Sequence, residues 1–275
     1  MNLILMICFA RSGGTLLNRC LGSLENTVIL SEVSPLGGGW GSRGEKSYTT
    51  IKEQAYNWWG INIESDDYFD GIVELHKICN EENKHLIIRD WSFINFVPYV
   101  NNKLNPPNRL LTFDGLRNYT DIIPFAFVRD SIDIWISRGT PPINKFYQQY
   151  LKYIEVLLRE GIRIFKFEDF VNDPNKIMSE LCIFLNIEYS ELFLNFENFN
   201  KINGDSFGSD SRGYKRSIIR PLPRKIIKKE KIQEINKCEL LVEANRLLNY
   251  PTLYDNGSLE NRLMKNLRRL KSYLE

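Results

Sequence analysis

The chain has 275 residues, 43% hydrophobic and 12% aromatic, enough for one large α/β domain with a substantial core. Its 36 Lys+Arg against 34 Asp+Glu leave a net charge of +2, which gives no general case for nucleic-acid binding. Five cysteines without CxxC spacing and two histidines speak for buried reduced thiols and against a zinc site, so no metal is expected.

In chain order, Leu3 to Phe9 is an apolar run closed by a turn signal, the pattern of a buried parallel strand. It lacks the basic n-region and small-residue cleavage site of a signal peptide. No run approaches the ~18 apolar residues of a spanning helix, so a cytoplasmic protein is expected. Arg11-Ser12-Gly13-Gly14-Thr15-Leu16 follows, and a helical pattern begins with Leu16, Leu17, Cys20 and Leu21 on one side. A strand, a tight Gly loop and a helix N-terminus aim backbone N–H groups at one point, where the helix dipole adds positive charge. Arg11 and the hydroxyls of Ser12 and Thr15 suit phosphate or sulfate oxygens.

Thr27 to Ser31 reads as a second strand ending at Glu32. Residues 36–50 read as an irregular Gly/Ser-rich loop, and helical patterns follow at about 51–60 and 66–80. Trp58, Trp59, Tyr68 and Phe69 in these helices belong to the core or line an acceptor pocket. Leu86 to Ile88 is a third strand, ending in Arg89-Asp90-Trp91. Residues 101–118, rich in Asn and Pro, read as a surface loop. Ile122 to Val128 is a fourth strand, ending in Arg129-Asp130, followed by a helix that carries Ser137 and Arg138 near its end. A long helix at about 143–160, a strand at 162–167 and a helix from Asp173-Pro174 to about 185 complete the alternation. Residues 204–216 are polar, Gly/Ser-rich and basic, a solvated linker or a loop around an anionic ligand. Helices at about 226–248 and 258–274 end the chain; the last is basic and amphipathic, for docking on its own domain, a membrane surface or a second copy in a homodimer.

Alternating strands and helices predict a central parallel sheet with helices on both faces, in a single domain over 1–275. The carboxyl ends of its strands form the ligand edge, where Arg11, Glu32, Arg89, Asp90 and Arg129 all fall. The Gly loop has no Lys before Thr15 and no opening Gly, so it fits a Walker A loop poorly. That weighs against a P-loop kinase-like phosphotransferase; a non-catalytic nucleotide-binding module is a further alternative.

These residues resemble the sulfotransferase family, which uses 3′-phosphoadenosine 5′-phosphosulfate (PAPS) and releases 3′-phosphoadenosine 5′-phosphate (PAP). Arg11-Ser12-Gly13-Gly14-Thr15-Leu16 looks like the family's 5′-phosphosulfate loop, with Gly14 where a Thr is usual. Phe127-Val128-Arg129-Asp130 to Ser137-Arg138 looks like its 3′-phosphate signature, which implies Arg129 and Ser137 as phosphate ligands. The loop with Ser211, Arg212 and Gly213 looks like its late phosphate-covering loop. The resemblance implies transfer of a sulfuryl group, without metal, to a hydroxyl, or less readily an amine, of a small-molecule, sugar or lipid acceptor. It implies Glu32 as general base, with Asp90 as second candidate or as a partner of Arg89. Arg11 is expected to stabilise the transferred charge and Arg89 to help on the acceptor side. Region 36–118 is expected to form most of the acceptor pocket.

Overall fold

The computed structural model describes residues 1–37, 48–98, 105–203, 218–222 and 227–252. The late loop with Ser211, Arg212 and Gly213 and the basic helix expected at 258–274 lie outside the described residues.

Five strands, β1 (Leu3–Cys8), β2 (Thr27–Val33), β3 (His85–Asp90), β4 (Ile122–Val128) and β5 (Arg163–Lys166), form one sheet in the order β2-β3-β1-β4-β5. Every pairing is parallel. Strands β1 and β3 are buried along their whole length, which is why β1 and the Leu86–Ile88 centre of β3 read as apolar runs and not as alternating ones.

Each face carries its own core. One packs Ile4, Met6, Phe125 and Phe127 against α1 (Gly14–Gly22), α7 (Phe167–Asn172) and α8 (Pro174–Leu185). The other packs Leu3, Leu5, Ile7 and Phe9 against α3 (Tyr68–Glu81), α6 (Ile143–Arg159) and α10 (Glu239–Leu247). Phe9 centres an aromatic cluster there, with the rings of Phe93, Tyr150 and Tyr153 at 5.0–5.2 Å. The chain builds β2 and β3 on one side of β1, then crosses to β4 and β5 on the other. The resulting switch point lies at the carboxyl ends of β1 and β4, where open α/β sheets bind ligands.

Two expectations need correction. Residues 101–118 are not all loop: α4 (Leu111–Leu116) is helical, with Thr112 and Leu116 fully buried. Its six residues are too few for a 3.6-residue period to show beside Asn and Pro. The helix expected at 226–248 is broken into α9 (Lys229–Asn236) and α10. Cys238 has extended backbone and caps α10, and it is buried against α6. The remaining α-helices among the described residues are α2 (Ile51–Trp59) and α5 (Ser131–Ser137). All five cysteines are free and buried. Among the described residues, no helix is long and apolar enough to cross a membrane.

Candidate active site

The loop after β1 turns through two left-handed residues, Arg11 at φ 77° and Gly13 at φ 92°. Gly13 precedes α1 as its N-cap, and no side chain caps that helix. Leu16 N–H donates to the Gly13 carbonyl at 3.0 Å, so the N–H groups of Gly14 and Thr15 are those that a ligand could take. A Cβ on Gly13 would lie 2.3 Å from the Phe167 ring, so only glycine fits this turn.

Gly14 has its own reason. A Cβ there would lie 3.0 Å from Cys8 Sγ and 3.3 Å from Arg89 Nε. The space a larger residue would need is filled by the Arg89 side chain. From the end of β3, Arg89 donates from Nη2 to Glu32 Oε1 at 2.7 Å and to Thr15 Oγ1 at 3.2 Å, and from Nη1 to Ser31 Oγ at 3.2 Å. Arg89 and Glu32 are mostly buried, with side-chain exposures of 7% and 15%. Burial pushes the neighbouring Cys8 thiol up to about 12, which keeps it a neutral packing group and not a nucleophile.

Glu32 reaches this point through a bulge. Ser31 pairs with Arg89 and Val33 with Asp90, so Glu32 is the extra residue, at φ 52°. The sheet edge beside it is fastened by groups that the sequence pattern did not single out. Gln54 in α2 accepts from the Ser31 N–H at 2.7 Å and donates to the Ser31 carbonyl at 2.9 Å. Asn203 donates from its backbone N–H to Ser31 Oγ at 3.1 Å and from its side chain to the Ser31 carbonyl at 3.2 Å. Both residues are buried polar amides, and that burial is a tertiary property with no local signature.

Asp90 does not pair with Arg89. It is buried, and its two carboxylate oxygens accept from Ser92 Oγ and Thr112 Oγ1, each at 2.5 Å. The Thr112 hydroxyl also lies 3.1 Å from the Tyr68 hydroxyl. Burial pushes the Asp90 carboxyl up to about 6 despite the two hydroxyl donors. A carboxyl raised in the fold is still protonated there at a pH where the unfolded chain has lost its proton. That contribution to stability is present below about pH 4 and is lost as pH rises towards 6. Asp90→Asn removes the titration. The variant is therefore expected to gain on the order of 2–3 kcal/mol relative to the parent between pH 4 and 6, and to hold a constant difference above that. Urea midpoints at several pH values check this, and a flat difference curve would show that Asp90 titrates normally.

On the other side of β1, the two signature segments meet. Arg11 Nε donates to Ser137 Oγ at 2.7 Å, across 126 residues of sequence. Arg129 lies over the Phe167 ring at 4.8 Å, with Asp133 at 3.6 Å. Its Nε is buried without a hydrogen-bond partner, a donor that an incoming phosphate oxygen would satisfy. The Asp130 N–H beside it donates to Glu168 Oε1 at 3.0 Å, and Tyr250 donates to Glu168 Oε2 at 2.7 Å. Both histidines lie towards the opposite edge. His85 opens β3, five residues or about 16 Å of strand from Asp90, and His76 touches the Met1 carbonyl. Of the aromatic residues read as core or as acceptor-pocket lining, Trp59 donates to the Ile29 carbonyl and packs on the core, and Phe69 stacks on Tyr119. Trp58 lies against Tyr48 and is partly exposed.

No protein-family model matches the chain, and no curated protein sequence does. Solved structures do. The sulfotransferase domain of the curacin biosynthetic pathway aligns at a TM-score of 0.50 with 12% identity, over 91% of this chain and 99% of that one. The sulfotransferase domain of the olefin synthase of Synechococcus PCC 7002 aligns at 0.55 with 13% identity, over 91% and 95%. This chain has the sulfotransferase fold. Within the sulfotransferase fold, the Gly loop, Glu32, Arg89 and Arg129 share the carboxyl edge of the sheet. The sulfotransferase fold by itself assigns none of them a role.

Proposed function

We propose that this protein is a PAPS-dependent sulfotransferase acting on a hydroxyl of a small-molecule, sugar or lipid acceptor. The observation that carries the reading is the Arg11–Ser137 hydrogen bond, which joins the loop after β1 to the segment after β4. It ties the loop that opens α1 to the segment that carries Arg129, which supports one donor site reaching from the start of α1 to Arg129. The absence of a loop Lys argues against a γ-phosphate site. A second phosphate site at Arg129 and Ser137 fits a 3′-phosphonucleotide, which ATP is not.

In this scheme, PAPS supplies a sulfuryl group for in-line transfer to the acceptor oxygen. Phosphoryl transfer is the guide: positioning and charge stabilisation carry most of the rate. Arg11 and the loop N–H groups hold the 5′ end of the donor. Arg89, fixed by Ser31, Thr15 and Glu32, presents its charge beside that loop. Glu32 accepts the acceptor hydroxyl proton at a carboxylate oxygen. Arg129 and Ser137 bind the 3′-phosphate. No step calls for a metal.

Calorimetric titration with PAP beside ATP–Mg²⁺ tests the reading. Tight binding of PAP alone supports it, and a preference for ATP–Mg²⁺ would sink it. Arg129→Ala is expected to weaken PAP by about 10- to 100-fold, the worth of one charged hydrogen-bonding group, and adenosine 5′-phosphate by far less. Equal losses for the two nucleotides would remove Arg129 from the 3′-phosphate.

A further inference from the structure

Arg138 is the arginine of this edge that the scheme above does not use. Its guanidinium lies over the Phe93 ring at 4.3 Å, and its Nε is buried without a hydrogen-bond partner. Among the described residues, no carboxylate pairs with it. Its neighbours on the edge differ: Arg89 pairs with Glu32, Arg129 has Asp133, and Arg11 donates to Ser137. Burial pulls the Arg138 pKa below the ordinary arginine value, yet the group stays cationic. A partly buried cation whose Nε lacks an acceptor is a place where a ligand oxyanion gains a hydrogen bond and a counter-charge together.

The backbone holds it there. Helix α5 is closed by Gly139 at φ 80° and Thr140 at φ 51°, and a β-branched residue at positive φ is strained. The turn is fastened by Gly139 N–H to the Ile136 carbonyl at 3.0 Å and by Thr140 N–H to the Trp135 carbonyl at 3.1 Å. Trp135 Nε1 then donates to the Pro141 carbonyl at 2.8 Å. The backbone that carries Arg138 is thus fixed, and the Phe93 ring holds its guanidinium from one side.

That place lies between the two halves of the site. Ser137, its neighbour in sequence, meets Arg11 of the loop. Phe93, beneath it, belongs to the turn Ser92–Asn95 that follows β3, and packs edge-on against Phe9 at 5.2 Å. Arg138 therefore bridges from the end of α5, over the end of β1, to the segment that leads away from Asp90. The aromatic contact occupies one face of the guanidinium and leaves its N–H edge for a planar or tetrahedral oxyanion. The donor's own charges already have partners in the loop, Arg11, Arg129 and Ser137.

We propose that Arg138 binds an oxyanion, a carboxylate or a phosphate, carried by the acceptor, so that this site selects hydroxylated acids over neutral alcohols. The proposal rests on the sulfotransferase reading, and its test separates the two. PAP is bound first, to fill the donor's phosphate sites. Phenyl phosphate, 3-phenylpropionate and neutral 3-phenylpropan-1-ol are then titrated into the full chain by calorimetry. The parent is expected to bind the anions at least about tenfold more tightly than the alcohol, the worth of one charged hydrogen bond. Arg138→Leu, which keeps an apolar contact on Phe93, is expected to lose that preference while PAP affinity stays within about twofold. Arg138→Lys keeps the charge without the fork and is expected to retain only part of it.

No anion preference in the parent overturns the proposal, and so does a preference that survives in Arg138→Leu. A tenfold loss of PAP affinity in Arg138→Leu also overturns it, by moving Arg138 to the donor. If the parent does not bind PAP, the sulfotransferase reading fails, and the same anion titration without PAP still decides the role of Arg138.

Discussion

Glu32→Gln is expected to lower kcat by about 10²- to 10⁴-fold, the usual contribution of a positioned general base, and to leave PAP affinity nearly unchanged. The amide keeps the shape and the acceptor oxygen facing Arg89 but cannot take a proton. Its backbone site is demanding, because residue 32 sits in a bulge at φ 52°. Glutamine tolerates that site about as well as glutamate, so a folding defect should not confuse the result. Sulfuryl transfer from PAPS, followed with calorimetry of PAP on the same sample, checks both halves. Unchanged kcat would remove Glu32 from proton transfer and leave it as the partner of Arg89.

Arg89→Ala is expected to cost about 3–5 kcal/mol of stability, because it removes the guanidinium that faces the mostly buried carboxylate of Glu32 at 2.7 Å. It also leaves the hydroxyls of Ser31 and Thr15 without their shared donor and opens space beside Gly14. The double variant Arg89→Ala with Glu32→Gln is expected to recover part of that loss, since the buried carboxylate that Arg89 balances is then neutral. Urea unfolding of the parent, the two single variants and the double variant closes the cycle. Additive losses would show that the 2.7 Å contact contributes little coupling. Arg89→Lys keeps a charge but cannot span Glu32, Thr15 and Ser31 together, and is expected to recover less than half.

Gly14 shows how a departure from a family pattern acquires a cause. As a sequence feature it is a missing hydroxyl in a phosphosulfate-like loop. In the structure, its Cβ position is hemmed in by Cys8 and Arg89. Residue 89 lies far away in sequence, and it reaches the loop only because β3 inserts between β2 and β1. The amides of Gln54 and Asn203 make the same point: each holds Ser31 at the edge of the sheet, and neither lies in a motif. Asp90 is the opposite case. It ends a strand on the ligand edge, yet the short helix α4 brings Thr112 onto it and turns it inward.

The five parallel strands, most of the helices and the Arg11-to-Leu16 loop were legible from the sequence alone. Buried parallel strands are continuous apolar runs, surface helices carry an apolar stripe, and glycine marks a turn that other residues cannot make. Those signals are local. Strand order, the Glu32 bulge and the meeting of Arg11 with Ser137, and of Arg89 with Thr15 and Glu32, were decided by tertiary structure. Their partners lie 57 to 126 residues apart, and only packing of the finished sheet brings them within hydrogen-bond reach.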